Sequence, residues 1–129
     1  MLDRFRKLIT KKHLATGEAG ERAAERFLKK EKGFRIISRN WRHGRDEIDL
    51  IGYDLDILVF IEVKTRRSGA IVPGYYSVDS RKKNALKRAA HAYLRTLKIP
   101  SLTHRLDVVE VNHHPDQEWE VLHFANIEW

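Results

Sequence analysis

The chain has 129 residues, a length that suits one domain able to bury its own core. Hydrophobic residues at 42% and charged residues at 33% describe a folded soluble domain and exclude disordered and membrane classes. With no cysteine, disulfides, thiolate metal sites, iron–sulfur clusters and cysteine nucleophiles are all excluded.

The net charge of +7 is unevenly spread. Leu106–Trp129 holds six acids and no Lys or Arg, so the first 105 residues carry 25 bases against 12 acids. That asymmetry predicts a basic surface for a polyanion, nucleic acid first, with the acidic segment turned elsewhere. The longest apolar run, Ile57–Ile61, is far too short to cross a bilayer. The basic N-terminus lacks the apolar stretch and cleavage site of a signal peptide, so a cytoplasmic protein is expected.

In chain order, residues 1–13 read as a basic arm and 14–129 as a single domain. Within the arm, Leu2, Phe5 and Leu8/Ile9 fall on one side of a short helix and Arg4, Arg6, Lys7, Lys11 and Lys12 on the other. Such a segment can lie along phosphates or simply fray. The first full helix runs from Thr16, a good N-cap, to Lys32, with Gly33 as its stop. Its apolar stripe is Ala19, Ala23, Ala24, Phe27 and Leu28. Gly20 lies within that stripe and predicts a close approach to the layer beneath. Glu21, on the stripe's flank, can look over the edge of whatever the helix covers.

Strands follow at Phe34–Arg42, Glu47–Gly52 and Ile57–Lys64, the last two joined as a hairpin through Tyr53–Asp56. Ile57–Ile61 is apolar on both faces, which marks a central strand. After a loop at Ser68–Ser77, a second helix runs from Asp79 or Ser80 to Lys98. Leu86, Ala89, Ala90, Tyr93, Leu94 and Leu97 form its apolar face, and no acid stands among the bases on its other faces. Two β-rich stretches, Arg105–Val111 and Glu118–Phe124, complete an α/β pattern: a mixed central β-sheet flanked by helices.

Asp49, Glu62 and Lys64 carry the chemistry. Glu62 and Lys64 share a strand face with Leu58 and Phe60 at the end of a buried strand. A four-residue hairpin loop sets Asp49 across from Phe60 and diagonal to Glu62. A two-residue shift sets the carboxylates directly opposite, and a one-residue shift separates them. Asp49, Glu62 and the carbonyl of Val63 offer hard oxygen ligands suited to Mg²⁺, with Mn²⁺ as the alternative. Lys64 can orient an attacking water or stabilise a charged transition state, and Glu21 can add a ligand or base. The start of the second helix, with Lys82, offers a phosphate seat. Arg66, Arg81, Lys82, Lys83, Lys87 and Arg88 are the candidate nucleic-acid contacts. Against this stand blander readings: a charged strand end, a helix-dipole acid at Glu21 and a solvated basic helix face. The seven histidines show no paired ligand spacing, so no zinc site is assigned and surface or loop positions are expected. The tryptophans are expected to pack in the core or at its edge.

Gly20-Glu21, Gly33-Phe34, Asn40-Trp41-Arg42, Glu47-Ile48-Asp49-Leu50-Ile51 and Val59-Phe60-Ile61-Glu62-Val63-Lys64-Thr65-Arg66 together resemble the bacterial YraN-like family. Arg81-Lys82, Leu86, Ala89-Ala90 and Tyr93-Leu94 extend the match, which covers residues 14–112. That family is similar to the restriction-endonuclease-like, PD-(D/E)XK, superfamily near the Holliday-junction resolvases. The resemblance implies that Asp49 is the motif aspartate, Glu62 and Lys64 the E-x-K pair, and Glu21 the added acid of the metal site. It further implies a Mg²⁺-dependent endonuclease acting on DNA, branched or single-stranded, and a homodimer. Asp46 departs from the family's usual Gly and is expected to reshape the loop or crowd the site with negative charge. Two other readings stay open: a nucleic-acid-binding module with an inactive nuclease core, and a protein–protein adaptor.

Overall fold

A computed structural model describes residues 2–7, 16–67, 79–98, 103–114 and 118–127. The elements are β1 (Leu2–Lys7), α1 (Thr16–Glu31), β2 (Arg35–His43), β3 (Asp46–Asp54), β4 (Ile57–Arg67), α2 (Ser80–Leu97), β5 (His104–His113) and β6 (Trp119–Phe124). The expected loop at 68–77 and the residues 8–13 of the arm lie outside the described residues.

The six strands among the described residues form one sheet in the order β1-β6-β5-β4-β3-β2. All neighbours are antiparallel except β4 and β5, whose parallel pairing spans the α2 connection. The expected α/β sheet with flanking helices is therefore what the chain builds. The segment at the start differs from the expected short helix. Leu2–Lys7 is an edge strand paired antiparallel with β6, Phe5 against Val121 and Arg6 against Glu120. Spacing alone favours a helix there, but the exposed edge of β6 offers a backbone ladder, and tertiary pairing overrides local pattern.

The helices cover opposite faces. Ala19, Ala23, Ala24, Phe27 and Leu28 of α1 pack on Leu50, Val59, Ile61, Val109 and Val111. Leu86, Ala89 and Ala90 of α2 pack on Ile48, Ile51, Leu58, Phe60, Leu106 and Val108. β4 is buried on both sides, as its unbroken apolar run predicts. Gly33, at φ 72°, stops α1, and Phe34 N–H returns to the Leu28 carbonyl at 2.9 Å. Asp79 caps α2 by accepting from Lys82 N–H at 3.0 Å. A Cβ on Gly20 would collide with Thr65 Oγ1 of β4, so the glycine is what lets α1 lie this close.

Candidate active site

The β3–β4 hairpin turns on two residues rather than four. Asp54 pairs with Ile57 and Leu50 with Ile61, which leaves Leu55-Asp56 as the turn. Continued by one residue, this register sets Asp49 opposite Glu62, the two-residue shift from the four-residue expectation.

Ladder pairing between β3 and β4 ends at Leu50. There the β2–β3 hairpin also rolls over. Leu50 faces α1 while Ile48 faces α2, and on β2 the side chain of Arg39 reaches Glu25 of α1 while Trp41 packs on the α2 side. Strict alternation forbids residues two apart from facing opposite ways. Asn40, at φ 50°, supplies the break on β2 in a backbone region that Asn tolerates better than most side chains. Asp49 sits beside this break, and its Oδ2 accepts from Val63 N–H at 2.8 Å. The side chain thus satisfies a β4 amide at the point where the two strands part.

Asp49 and Glu62 are both buried, 8% and 3% exposed. The two carboxyls are neighbours, so a negative charge on Glu62 favours the protonated form of Asp49. Burial first and the charge of Glu62 second push the Asp49 carboxyl up to about 8, against the downward pull of the Val63 N–H. Two cations lean on Glu62 Oε2: Lys64 Nζ at 3.5 Å and Lys82 Nζ, from the first turn of α2, at 3.3 Å. Glu21 arrives from α1 and is also raised. Burial and the charge of Glu47 do this, with Glu62 adding to them, while a hydrogen bond from Asn40 opposes the shift. The four expected site residues therefore converge from two strands and a helix. Asn40 and the contact of Lys82 with Glu62 are additions that spacing could not reveal.

Buried neighbouring carboxylates, each disfavouring the other's charge, are a hard oxygen donor set that a divalent cation would suit. The set is not a closed cage: among the described residues no three His, Asp or Glu side chains gather closely enough to grip an ion together. Asp49 and Glu62 form the pair, and Glu21 stands at its edge, tied to Asn40.

The expected nucleic-acid contacts divide. Arg81 and Lys87 are exposed, Lys83 and Arg66 are partly buried, and Lys82 is drawn to Glu62. Arg88 forks onto Asp46, with Nε at 3.2 Å and Nη2 at 3.1 Å. Asp46 therefore faces α2, and of the two expected effects the crowding of the carboxylates does not occur: an arginine fork gives it a better partner than a like-charged site. The histidine expectation also needs correction. His123 is buried at 3% exposure, its Nε2 2.8 Å from Asp107 Oδ2, because a buried carboxylate and an imidazole satisfy each other. Trp119 is buried in the core and Trp41 is half-buried against it, as expected, while Trp129 lies outside the described residues.

A mixed sheet between two helices, with an aspartate and an E-x-K pair meeting where adjacent strands part, defines a restriction-endonuclease-like domain. Residues 20–111 match the model of the Uncharacterised protein family UPF0102. A UPF0102 protein of Symbiobacterium thermophilum is 47% identical over 100 residues, covering 78% of this chain and 84% of that protein. One from Lawsonia intracellularis is 36% identical over 125 residues, covering 88% and 93%. The chain belongs to this family, the YraN-like branch of the restriction-endonuclease-like superfamily. Among the described residues no helix is long and apolar enough to cross a membrane.

Proposed function

We propose that this protein is a metal-dependent nuclease that hydrolyses phosphodiester bonds in DNA. The observation that carries the reading is the buried carboxyl pair Asp49–Glu62, with two lysines on Glu62. Buried carboxylates are costly to bring together, and such an arrangement points to a cation or a proton-transfer role.

Asp49 and Glu62 would hold Mg²⁺ or Mn²⁺, with the Val63 carbonyl and Glu21 completing the oxygen set. The ion, when bound, supplies an acidified water and neutralises charge on the scissile phosphate. The chain's own groups do the rest. Lys64 and Lys82 place fixed positive charge where the phosphate gains negative charge in the transition state. Glu21, already raised, can take a proton from the attacking water. Arg81 and Lys87, exposed on α2, offer cations to the backbone.

The test pairs substrate with metal. Single-stranded, duplex, flap and four-way-junction DNA, and RNA, are incubated with Mg²⁺, Mn²⁺ or EDTA, beside Asp49→Ala. The expected result is cleavage of DNA that needs both the metal and Asp49, while the variant stays folded and keeps its affinity. Salt-sensitive binding without cleavage of any substrate would instead support a binding module with an inactive core.

A further inference from the structure

Beyond the carboxylates, the tip of the β2–β3 hairpin and α2 enclose a second cleft of about 570 Å³, lined by His43, Arg45, Asp46, Arg88, His91 and Arg95. His43 pairs with Asp46, so Gly44-Arg45 forms a two-residue turn, with Gly44 at φ 61° in the left-handed region that such a turn requires at its first position. Asp46 is three residues from Asp49 along β3, roughly 10 Å at strand rise, so the cleft opens at the carboxylate end of the sheet.

Its charge is positive. The one acid, Asp46, is already held by Arg88. Arg45 and Arg95 are exposed, and among the described residues neither has a carboxylate within ion-pair distance. Within the lining, His43 presents an aromatic ring. The exposed ring of His43 lies parallel to Trp41, 8° between planes and 6.2 Å between centroids. Trp41 is itself fixed edge-on by Tyr93, at 5.2 Å and 88°. The His43 ring, backed by Trp41, beside two exposed guanidiniums matches one flat base and one phosphate. A duplex keeps its bases stacked on one another, so only an unpaired nucleotide can offer both groups here.

We propose that this cleft seats an unpaired nucleotide of a DNA strand, its base on the His43 ring and its phosphate between Arg45 and Arg95. The inference rests on the nuclease reading, and it names the substrate as DNA with an unpaired stretch beside the cut. It also gives the departure at Asp46 a role, since the fork to Arg88 braces the wall of the cleft.

Binding is measured by fluorescence anisotropy in EDTA with the Asp49→Ala chain, so that cleavage does not interfere. The ligands are a short oligothymidylate, an abasic oligomer of equal length, a matched duplex and an oligouridylate. His43→Ala is expected to weaken oligothymidylate binding roughly tenfold, with no change for the abasic oligomer or duplex, and His43→Tyr to restore it. Arg45→Ala with Arg95→Ala is expected to weaken oligothymidylate and abasic binding alike and to flatten the salt slope by about one to two. Equal loss of abasic and oligothymidylate binding in His43→Ala would overturn the base platform. Unchanged binding in all variants would overturn the cleft, and a stronger, His43-dependent preference for oligouridylate would overturn the DNA assignment. Asp49-dependent cleavage that survives any of these results leaves the nuclease reading standing. Absence of both cleavage and binding in the unsubstituted chain would overturn both.

Discussion

At Asp49, burial and the neighbouring charge of Glu62 raise the carboxyl to about 8. Between about pH 4 and pH 8 the folded chain therefore keeps a proton that the unfolded chain has released, and stability falls as pH rises through that window. Asp49→Asn keeps the shape and removes the titration. In metal-free thermal melts the variant's advantage over the unsubstituted chain should widen from about pH 5 to about pH 8. A gap that stays constant would mean that no proton is held there. At the upper end of the window, excess Mg²⁺ or Mn²⁺ should raise the melting temperature of the unsubstituted chain by mass action and leave Asp49→Asn nearly unmoved.

The hairpins decide how much of the site a reader of the sequence could have placed. Ile57–Ile61 and the i, i+3, i+4 pattern of Leu86, Ala89, Ala90 and Tyr93 marked β4 and α2, and Asp79 and Gly33 marked helix ends, because burial and capping leave local signatures. The β3–β4 turn left none. Two-residue turns favour Asn-Gly or Asp-Gly, whereas this one uses Leu55-Asp56, with Leu55 at φ 57° and 90% exposed. A leucine in that backbone region costs roughly 1–2 kcal/mol, and solvent gives its side chain nothing to pack against. Leu55→Asn is accordingly expected to stabilise the fold by about 1 kcal/mol, read as a higher urea midpoint at constant slope. An unchanged or lower midpoint would show that the turn carries no strain. The roll at Asn40 was equally hidden, since it depends on two strands turning together and not on any one spacing. The Asp107–His123 contact joins residues 16 apart on neighbouring strands, and it too has no local pattern.

Across the whole molecule, two buried carboxyls answer pH in opposite senses. Burial alone would raise Asp107, but His123, Arg105 and the Asn126 N–H hold it below its usual range. Arg105 reaches it through Nε at 2.9 Å and also grips Asp54 at 3.0 Å, tying β5 to the end of β3. A lowered carboxyl gives stability that is present above its unfolded value and lost as pH falls through the folded one. Stability should therefore peak in mildly acidic solution, with Asp49 setting the alkaline slope and Asp107 the acid slope. Asp107→Asn should flatten the acid slope and cost about 1.5–3 kcal/mol, because His123 and Arg105 lose a charged acceptor while Arg105 keeps Asp54. Denaturant melts across pH would expose a missing acid slope in the unsubstituted chain, which would count against this assignment. The strand order adds a consequence in time. β1 lies at one edge beside β6, the last strand in the chain. A ribosome adding roughly 5–20 residues per second makes the first strand several seconds to about twenty seconds before its neighbour exists. The hairpin bearing Asp49 and Glu62 needs only a local turn and can form meanwhile, so of the described strands the one made first is the last to find its place.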